Sequence, residues 1–302
     1  MSKRQWRQLM VGVILESIIE YKKRMSIKHL CALLEISRAA LYREQRAVIE
    51  EKEQGNTLEI RDAIQRIALL WSSYGYRRIT AELQRRGFVV NHKRVLRLMR
   101  SDNLLCLRKR AFVHTTDSGH RLPVYPNLAK GLVLNKINQL WVADITYIRL
   151  ADEFIYLAVI LDAYSRRVIG WELATYIDSD LTLAALRMAL KNRSPLPRDL
   201  IHHSDRGVQY AASAYTQLLQ QHGITVSMSR RGNPYDNAKA ERFMWTLKQE
   251  EVYVSDYQNL RAARKAISHF LEKVYNQQRL HSALRYMPPA EFEQSLTVTI
   301  SP

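Results

Sequence analysis

The chain has 302 residues, 46 of them Lys or Arg and 29 Asp or Glu, which leaves a net charge of +17 and a pI near 9.9. That length gives room for two or three domains with their own cores, and an ordinary apolar content excludes a disordered tail. Only Cys31 and Cys106 occur, which excludes a disulfide framework and a C-x-x-C zinc site, while so basic a surface attracts polyanions, nucleic acid being the commonest.

The charge is unevenly placed. Residues 1–134 carry 26 Lys and Arg against 12 Asp and Glu, a net of +14; residues 135–302 carry 20 against 17, a net of +3. The polyanion-binding surface therefore belongs mostly to the front half. The first apolar run, Leu9–Leu15, follows a basic start, but Glu16 and Glu20 come at once and no A-x-A-like site follows. It predicts the buried face of an N-terminal helix and not a signal peptide. No stretch approaches the ~20 apolar residues of a membrane span. The chain is expected in the cytoplasm, within reach of DNA.

Residues 1–50 predict a first helix-turn-helix region. Ile27, Leu30, Cys31 and Leu34 share a face, Glu35-Ile36 breaks the helix, and Ser37 caps a second helix through Arg38, Leu41, Tyr42 and Arg43. Two short helices on a tight turn place the second in the DNA major groove, with Arg38 and Arg43 near phosphates or base edges. Residues 51–106 hold a second such region. A linking helix over 47–70 is expected to be interrupted at Gly55-Asn56-Thr57. Tyr74-Gly75-Tyr76-Arg77-Arg78 leads into a helix to Arg86 that Gly87 ends, and Asn91 caps His92–Arg100. Val95, Leu96, Leu98 and Met99 supply its apolar contacts, leaving Lys93, Arg94, Arg97 and Arg100 for the phosphate backbone; Arg77 and Arg78 are further candidates. Residues 107–134, opening on Leu107-Arg108-Lys109-Arg110, form a basic linker. His114 and His120 have half a zinc-finger spacing with no cysteine pair before them, and are loop histidines.

Residues 135–252 predict an α/β domain. Leu140–Leu150, Phe154–Leu161 and Arg167–Leu173 form strands joined by short hairpins. A helix capped by Ser179 follows, then a strand at Leu200–Ser204, a helix at Ala211–His222 closed by Gly223, and a fifth strand at Ile224–Ser229. This order is that of a ribonuclease H-like core, a mixed five-stranded sheet with helices, behind all-α helix-turn-helix domains. Residues 253–302 form a C-terminal helical extension.

Three acids stand out: Asp144 inside the first strand, Asp205 ending the fourth, and Glu241 in a helix beyond. In the expected order the first and fourth strands are neighbours, so Asp144 and Asp205 meet, and Glu241 arrives across the sheet. Carboxylate oxygens suit Mg²⁺, and two ions roughly 4 Å apart can activate an attacking oxygen and steady a leaving one. Spacing does not select this triple among 17 acids. Asp205 also suits a turn before Gly207, and Glu241 an exposed helix face. Asp144 is harder to explain otherwise, because an acid in an apolar strand costs stability without a partner.

The motifs are more specific than the spacing. Trp141-Val142-Ala143-Asp144-Ile145-Thr146-Tyr147, His203-Ser204-Asp205-Arg206-Gly207-Val208-Gln209-Tyr210 and Ser229–Ala238 followed by Glu241 resemble the three catalytic motifs of insertion-sequence transposases of the DDE, retroviral-integrase-like type. Tyr275-Asn276-x-x-Arg279-x-His281-x-x-Leu284, with Pro288 and Pro289, resembles their C-terminal signature. The resemblance covers nearly the whole chain and is to the OrfB-type protein. It implies that Asp144, Asp205 and Glu241 are catalytic metal ligands for two Mg²⁺ (or Mn²⁺) ions. It also implies that Lys248, two helical turns after Glu241, holds a DNA phosphate. His203 is near the site and suits a structural role equally well. The implied reaction is cleavage at element ends followed by strand transfer, by direct transesterification. The implied partners are duplex DNA (terminal inverted repeats and target), further copies of the chain on paired ends, and an upstream-frame protein or fusion, all among nucleoid DNA and with no membrane. A nuclease of this fold that only hydrolyses, and a non-enzymatic helix-turn-helix regulator, are the alternatives.

Overall fold

The computed structural model describes residues 26–33, 37–105, 123–150, 153–230 and 234–298, with Leu9 and Glu35 besides. The expected N-terminal helix at Leu9–Leu15, the basic run Leu107–Arg110 and both loop histidines lie outside these, Leu9 itself excepted. The chain forms two units, residues 1–105 and 106–302. No helix among the described residues is long and apolar enough to cross a membrane.

The first unit is helical. α1 (Ile27–Leu33) turns into α2 (Arg38–Leu70) past Glu35, whose φ of 52° is left-handed, and the Ser37 side chain accepts a hydrogen bond from the Ala40 N–H as the expected cap. The predicted interruption at Gly55-Asn56-Thr57 does not occur: α2 is one helix of 33 residues. A helical glycine costs only about 1 kcal/mol. Ile60, Ile64 and Ile67, buried against the unit's other helices, supply tertiary packing that outweighs it. α3 (Tyr76–Arg85) ends at Gly87, φ 87°, and α4 (His92–Ser101) starts on Asn91, whose side chain accepts from the Arg94 N–H. Ile79 and Leu83 of α3 and Val95, Leu98 and Met99 of α4 form the buried side of the pair.

The second unit is built on a five-stranded sheet in the order β3-β2-β1-β4-β5, the expected ribonuclease H-like arrangement. β1 (Leu140–Arg149), β2 (Phe154–Asp162) and β3 (Val168–Ala174) are antiparallel neighbours; β4 (Ile201–Ser204) and β5 (Thr225–Met228) run parallel to β1. Both sheet faces are covered, so the central strands are almost continuously apolar. Trp141, Ala143, Ala158 and Ile160 face α5 (Ser179–Arg193), α6 (Val208–Ala211) and α7 (Ser213–Gln221); Leu140, Val142, Leu157 and Val159 face α8 (Ala238–Glu250) and α9 (Leu260–His269). Two local readings need correction. The cap of α5 is Asp178, one residue before Ser179, and the helix expected over 211–222 is split at Ala212 into α6 and α7. The stretch before β1 is fastened to β5: Leu128 N–H donates to Ser227 Oγ at 2.9 Å, and Leu132 and Leu134 pack on the core.

α9 runs on as π-helical turns over Phe270–Gln278, and α10 (Pro289–Val298) closes the unit. The C-terminal signature acts here as a clamp. Asn276 exchanges two 2.9 Å hydrogen bonds with the backbone of Val168, satisfying part of the open edge of β3. Arg279 pairs with both oxygens of Glu250, the last residue of α8, at 2.6 and 2.7 Å, with both side chains buried. Tyr275 packs edge-on to Phe243 of α8. The signature thus grips the helix that carries Glu241.

Candidate active site

Three elements deliver the three acids. Asp144 lies mid-β1, in the alternating set of Val142 and Ile148, whose side belongs to the core that α8 covers. Asp205 follows β4 directly, and the parallel register that sets Val142 beside His203 carries it to the level of Asp144. Glu241 lies in the first turn of α8. The start of that helix is tied to β1 by Asn237, a buried residue whose Nδ2 donates to the Ala143 carbonyl at 2.9 Å, one residue from Asp144.

The three acids are close enough for their charges to act on one another at Asp144. Asp144 keeps some open surface, yet its pKa stands well above the ordinary value. Burial is the first cause, and the charges of Asp205 and Glu241 add to it; the Ile145 N–H, donating at 2.9 Å, and Lys248 pull the other way. Asp205 Oδ1 accepts the Gly207 N–H at 2.9 Å, and a Cβ on Gly207 would stand 3.0 Å from that oxygen. The Lys248 ammonium lies 4.5 Å from the centre of the Tyr147 ring, half-buried and within electrostatic reach of Asp144. Burial lowers its pKa and Asp144 opposes that shift.

His203 is fully buried, its Nδ1 2.8 Å from Ser227 Oγ and its Nε2 3.0 Å from Ser229 Oγ. Burial holds its pKa down to about 4, so the neutral ring ties β4 to β5. Tyr210, which sequence reading passed over as part of a motif, is buried with no hydrogen-bond partner on its hydroxyl among the described residues, and both Asp144 and Asp205 act on it electrostatically. Asn237 was likewise only a motif letter; nothing local in the sequence reveals that it reaches β1.

Among the described residues, no three His, Cys, Asp or Glu side chains form a ready-made metal cluster. The donor set still suits a divalent cation: it offers carboxylate oxygens, and it gathers like charges that a cation would offset.

The chain matches the integrase core domain family over residues 135–234 and a second integrase core domain family over 222–289, with an HTH-like domain over 56–112. It is 38% identical over 267 residues to the insertion element IS600 uncharacterized 31 kDa protein of Shigella sonnei, covering 88% of this chain and 97% of that one. It is 34% identical over 281 residues to transposase InsF for insertion sequence IS3A of Escherichia coli K12, covering 91% and 96%. The chain belongs to the insertion-sequence transposase family. It is a DNA transposase, an enzyme of the polynucleotidyl transferase class, and neither a purely hydrolytic nuclease nor a non-enzymatic regulator is favoured.

Similar solved structures include the simian T-cell lymphotropic virus intasome in complex with PP2A regulatory subunit B56 gamma, at 20% identity and TM-score 0.43 over 78% of the transposase and 74% of that chain. Another is the HTLV-2 integrase catalytic core domain in complex with magnesium (dimeric form), at 19% and 0.36 over 49% and 92%.

In the transposase's first unit, Arg38, Arg43, Arg77, Lys93, Arg97 and Arg100 are exposed. Arg94 is half-buried and donates to Thr57 Oγ1 of α2 at 2.9 Å, so part of its hydrogen-bonding capacity serves the fold. Arg78 is half-buried over the Tyr74 ring.

Proposed function

We propose that this transposase cuts the ends of an insertion element and joins them to new DNA, with Asp144, Asp205 and Glu241 as its catalytic acids. The observation that carries this reading is the convergence of three elements: the parallel β1–β4 register sets Asp205 level with Asp144, and Asn237 ties the start of the Glu241 helix to β1 beside it. Those three side chains would hold two divalent cations, Mg²⁺ or Mn²⁺. When bound, such ions supply Lewis-acid stabilisation of the phosphoryl, attacking and leaving oxygens.

The chain's own groups do the rest. Arg38, Arg43, Arg77, Arg78, Lys93, Arg94, Arg97 and Arg100 bind element-end DNA, chiefly through phosphates. Lys248 holds a phosphate beside the acids, its position fixed by the Tyr147 ring. Asn237 and the Arg279–Glu250 pair keep α8 in place under the strand being cut. Water adds to phosphorus and breaks the bond to the 3′-oxygen, leaving a 3′-hydroxyl on one side and a 5′-phosphate on the other. That hydroxyl then attacks a second phosphodiester in line, one P–O bond forming as another breaks. No side chain forms a covalent intermediate, and copies of the chain act together on paired ends. An upstream-frame protein or fusion would complete the assembly.

Asp144→Asn and Asp205→Asn test this directly. Each is expected to lower cleavage, and joining of pre-cut ends, by at least about 10³-fold with Mg²⁺, while duplex DNA binding in a mobility-shift assay persists. Retained cutting in either variant would remove the assignment; cutting without joining by the parent chain would make it a nuclease.

A further inference from the structure

A cavity of about 710 Å³ in the second unit is lined by three cationic side chains from distant parts of the chain. Arg166 comes from the β2–β3 turn, Lys239 from the first turn of α8, and Arg285 from the turn before α10. No carboxylate among the described residues lines the cavity. None of the three side chains has a hydrogen bond or ion pair among the described residues, although Arg166 is close enough for its charge to act on Lys239. The Asp162 carboxylate acts on Arg166, but it does not line the cavity, and the like charges gathered there are ones that a bound anion would offset. Arg166 and Arg285 also hold left-handed φ angles of 64° and 54°, which a non-glycine residue adopts at some cost. The other wall is apolar: Tyr164 and Phe292, their ring centres 5.5 Å apart, with Leu284. Lys239 is two residues from Glu241, hence about 200° around α8, so the cavity uses a different side of the helix from the catalytic acids.

We propose that this cavity takes one nucleotide of single-stranded DNA, its phosphate among Arg166, Lys239 and Arg285 and its base against Tyr164 and Phe292. The cations match a phosphate, the aromatic wall matches a base of any sequence, and the volume falls within the range of small-ligand sites. A bare anion would leave the aromatic wall unused. The proposal rests on the reading of this chain as an enzyme that opens DNA strands, since cutting frees a strand end that must be held away from the acids.

The test uses the full chain with a chelator present, so that nothing is cut. A short labelled oligothymidylate and a labelled duplex are titrated separately. Tyr164→Ala and Arg166→Gln are each expected to weaken single-strand binding about fivefold or more, with duplex binding and the melting temperature unchanged and Tyr164→Phe behaving as the parent. Lys239→Gln, at an unstrained backbone position, gives the same loss if Arg166→Gln perturbs folding. Unchanged single-strand affinity in these variants overturns the proposal. So does a loss confined to the charge variants, which would reduce the cavity to an anion site. Thymidine monophosphate competing as well as the oligonucleotide would also overturn it, by making a free nucleotide the ligand. Because no cleavage is read, failure here leaves the catalytic assignment standing, and failure of Asp144→Asn to abolish cutting leaves this binding result standing.

Discussion

A carboxyl group inside a protein must make up for the water it loses, and the transposase does so in contrasting ways. Asp162 is fully buried at the end of β2; burial raises its pKa, and the N–H groups of Asn138, Tyr164 and Ser165 donate to it, closing the turn into β3. Glu293 is buried between Arg167 and Arg193. Burial opposes its ionisation, but hydrogen bonds from Arg193, Ser165 and Arg167 and the Arg193 charge outweigh that, so its pKa lies below the ordinary 4.5. A depressed folded pKa means stability that is complete above the unfolded value and lost as the pH falls through the folded one. The Glu293→Gln chain is therefore expected to melt lower near neutral pH and to show a shallower loss of melting temperature below about pH 4.5. A parent-like acid profile would show that the two arginines contribute nothing there. Asp144 has less of each: one N–H, from Ile145, and the charge of Lys248 do not offset its burial beside Asp205 and Glu241, and the sequence already marked it, because an acid in an apolar strand costs stability without a partner.

At the scale of elements, one close approach limits how α5 meets the sheet. A Cβ on Gly170 of β3 would lie 2.2 Å from the Ala185 carbonyl oxygen and 2.8 Å from the Ala189 backbone nitrogen, so the helix backbone sits where a side chain would be. Gly170→Ala is expected to destabilise the second unit by about 1–3 kcal/mol or more, as overpacking does, read as a drop in the denaturant midpoint. An unchanged midpoint would mean that α5 can shift without cost. Elements of this kind were legible where the signal is local. Ser37 and Asn91 cap their helices, Gly87 ends one, and alternating or continuous apolar runs give the strands. Legibility failed where packing overrides local preference. Gly55 sits inside a helix because buried isoleucines further along hold it, and Ala212 divides a run with good helical spacing.

For the whole molecule, the first unit carries a net charge of +10 over 105 residues and the second +7 over 197, and this higher charge density predicts that DNA affinity resides mostly in the first unit. Replacing Arg97 and Arg100 by Gln is expected to weaken duplex binding at every sequence tested. It should also lower the slope of log affinity against log salt by about one for each phosphate no longer neutralised. Unchanged slopes would place both residues off the DNA. What sequence could not supply at this scale are meetings between remote residues. Asn237 reaches β1, Tyr210 lies beside two acids, and Arg166, Lys239 and Arg285 converge on one cavity. Each depends on sheet order and helix placement together, and no spacing encodes it.

The unbroken α2 has one more consequence. At 33 residues it is a rod of about 50 Å, with the α1 corner at one end and the α3–α4 pair near the other. A hinge at Gly55 would have let the two ends turn independently. A rod fixes their rotational phase as well as their separation: each inserted residue swings one end by about 100°, and seven nearly restore it. Tolerance to insertions in α2 should therefore be periodic, the helix acting as a ruler for the interval between its two ends.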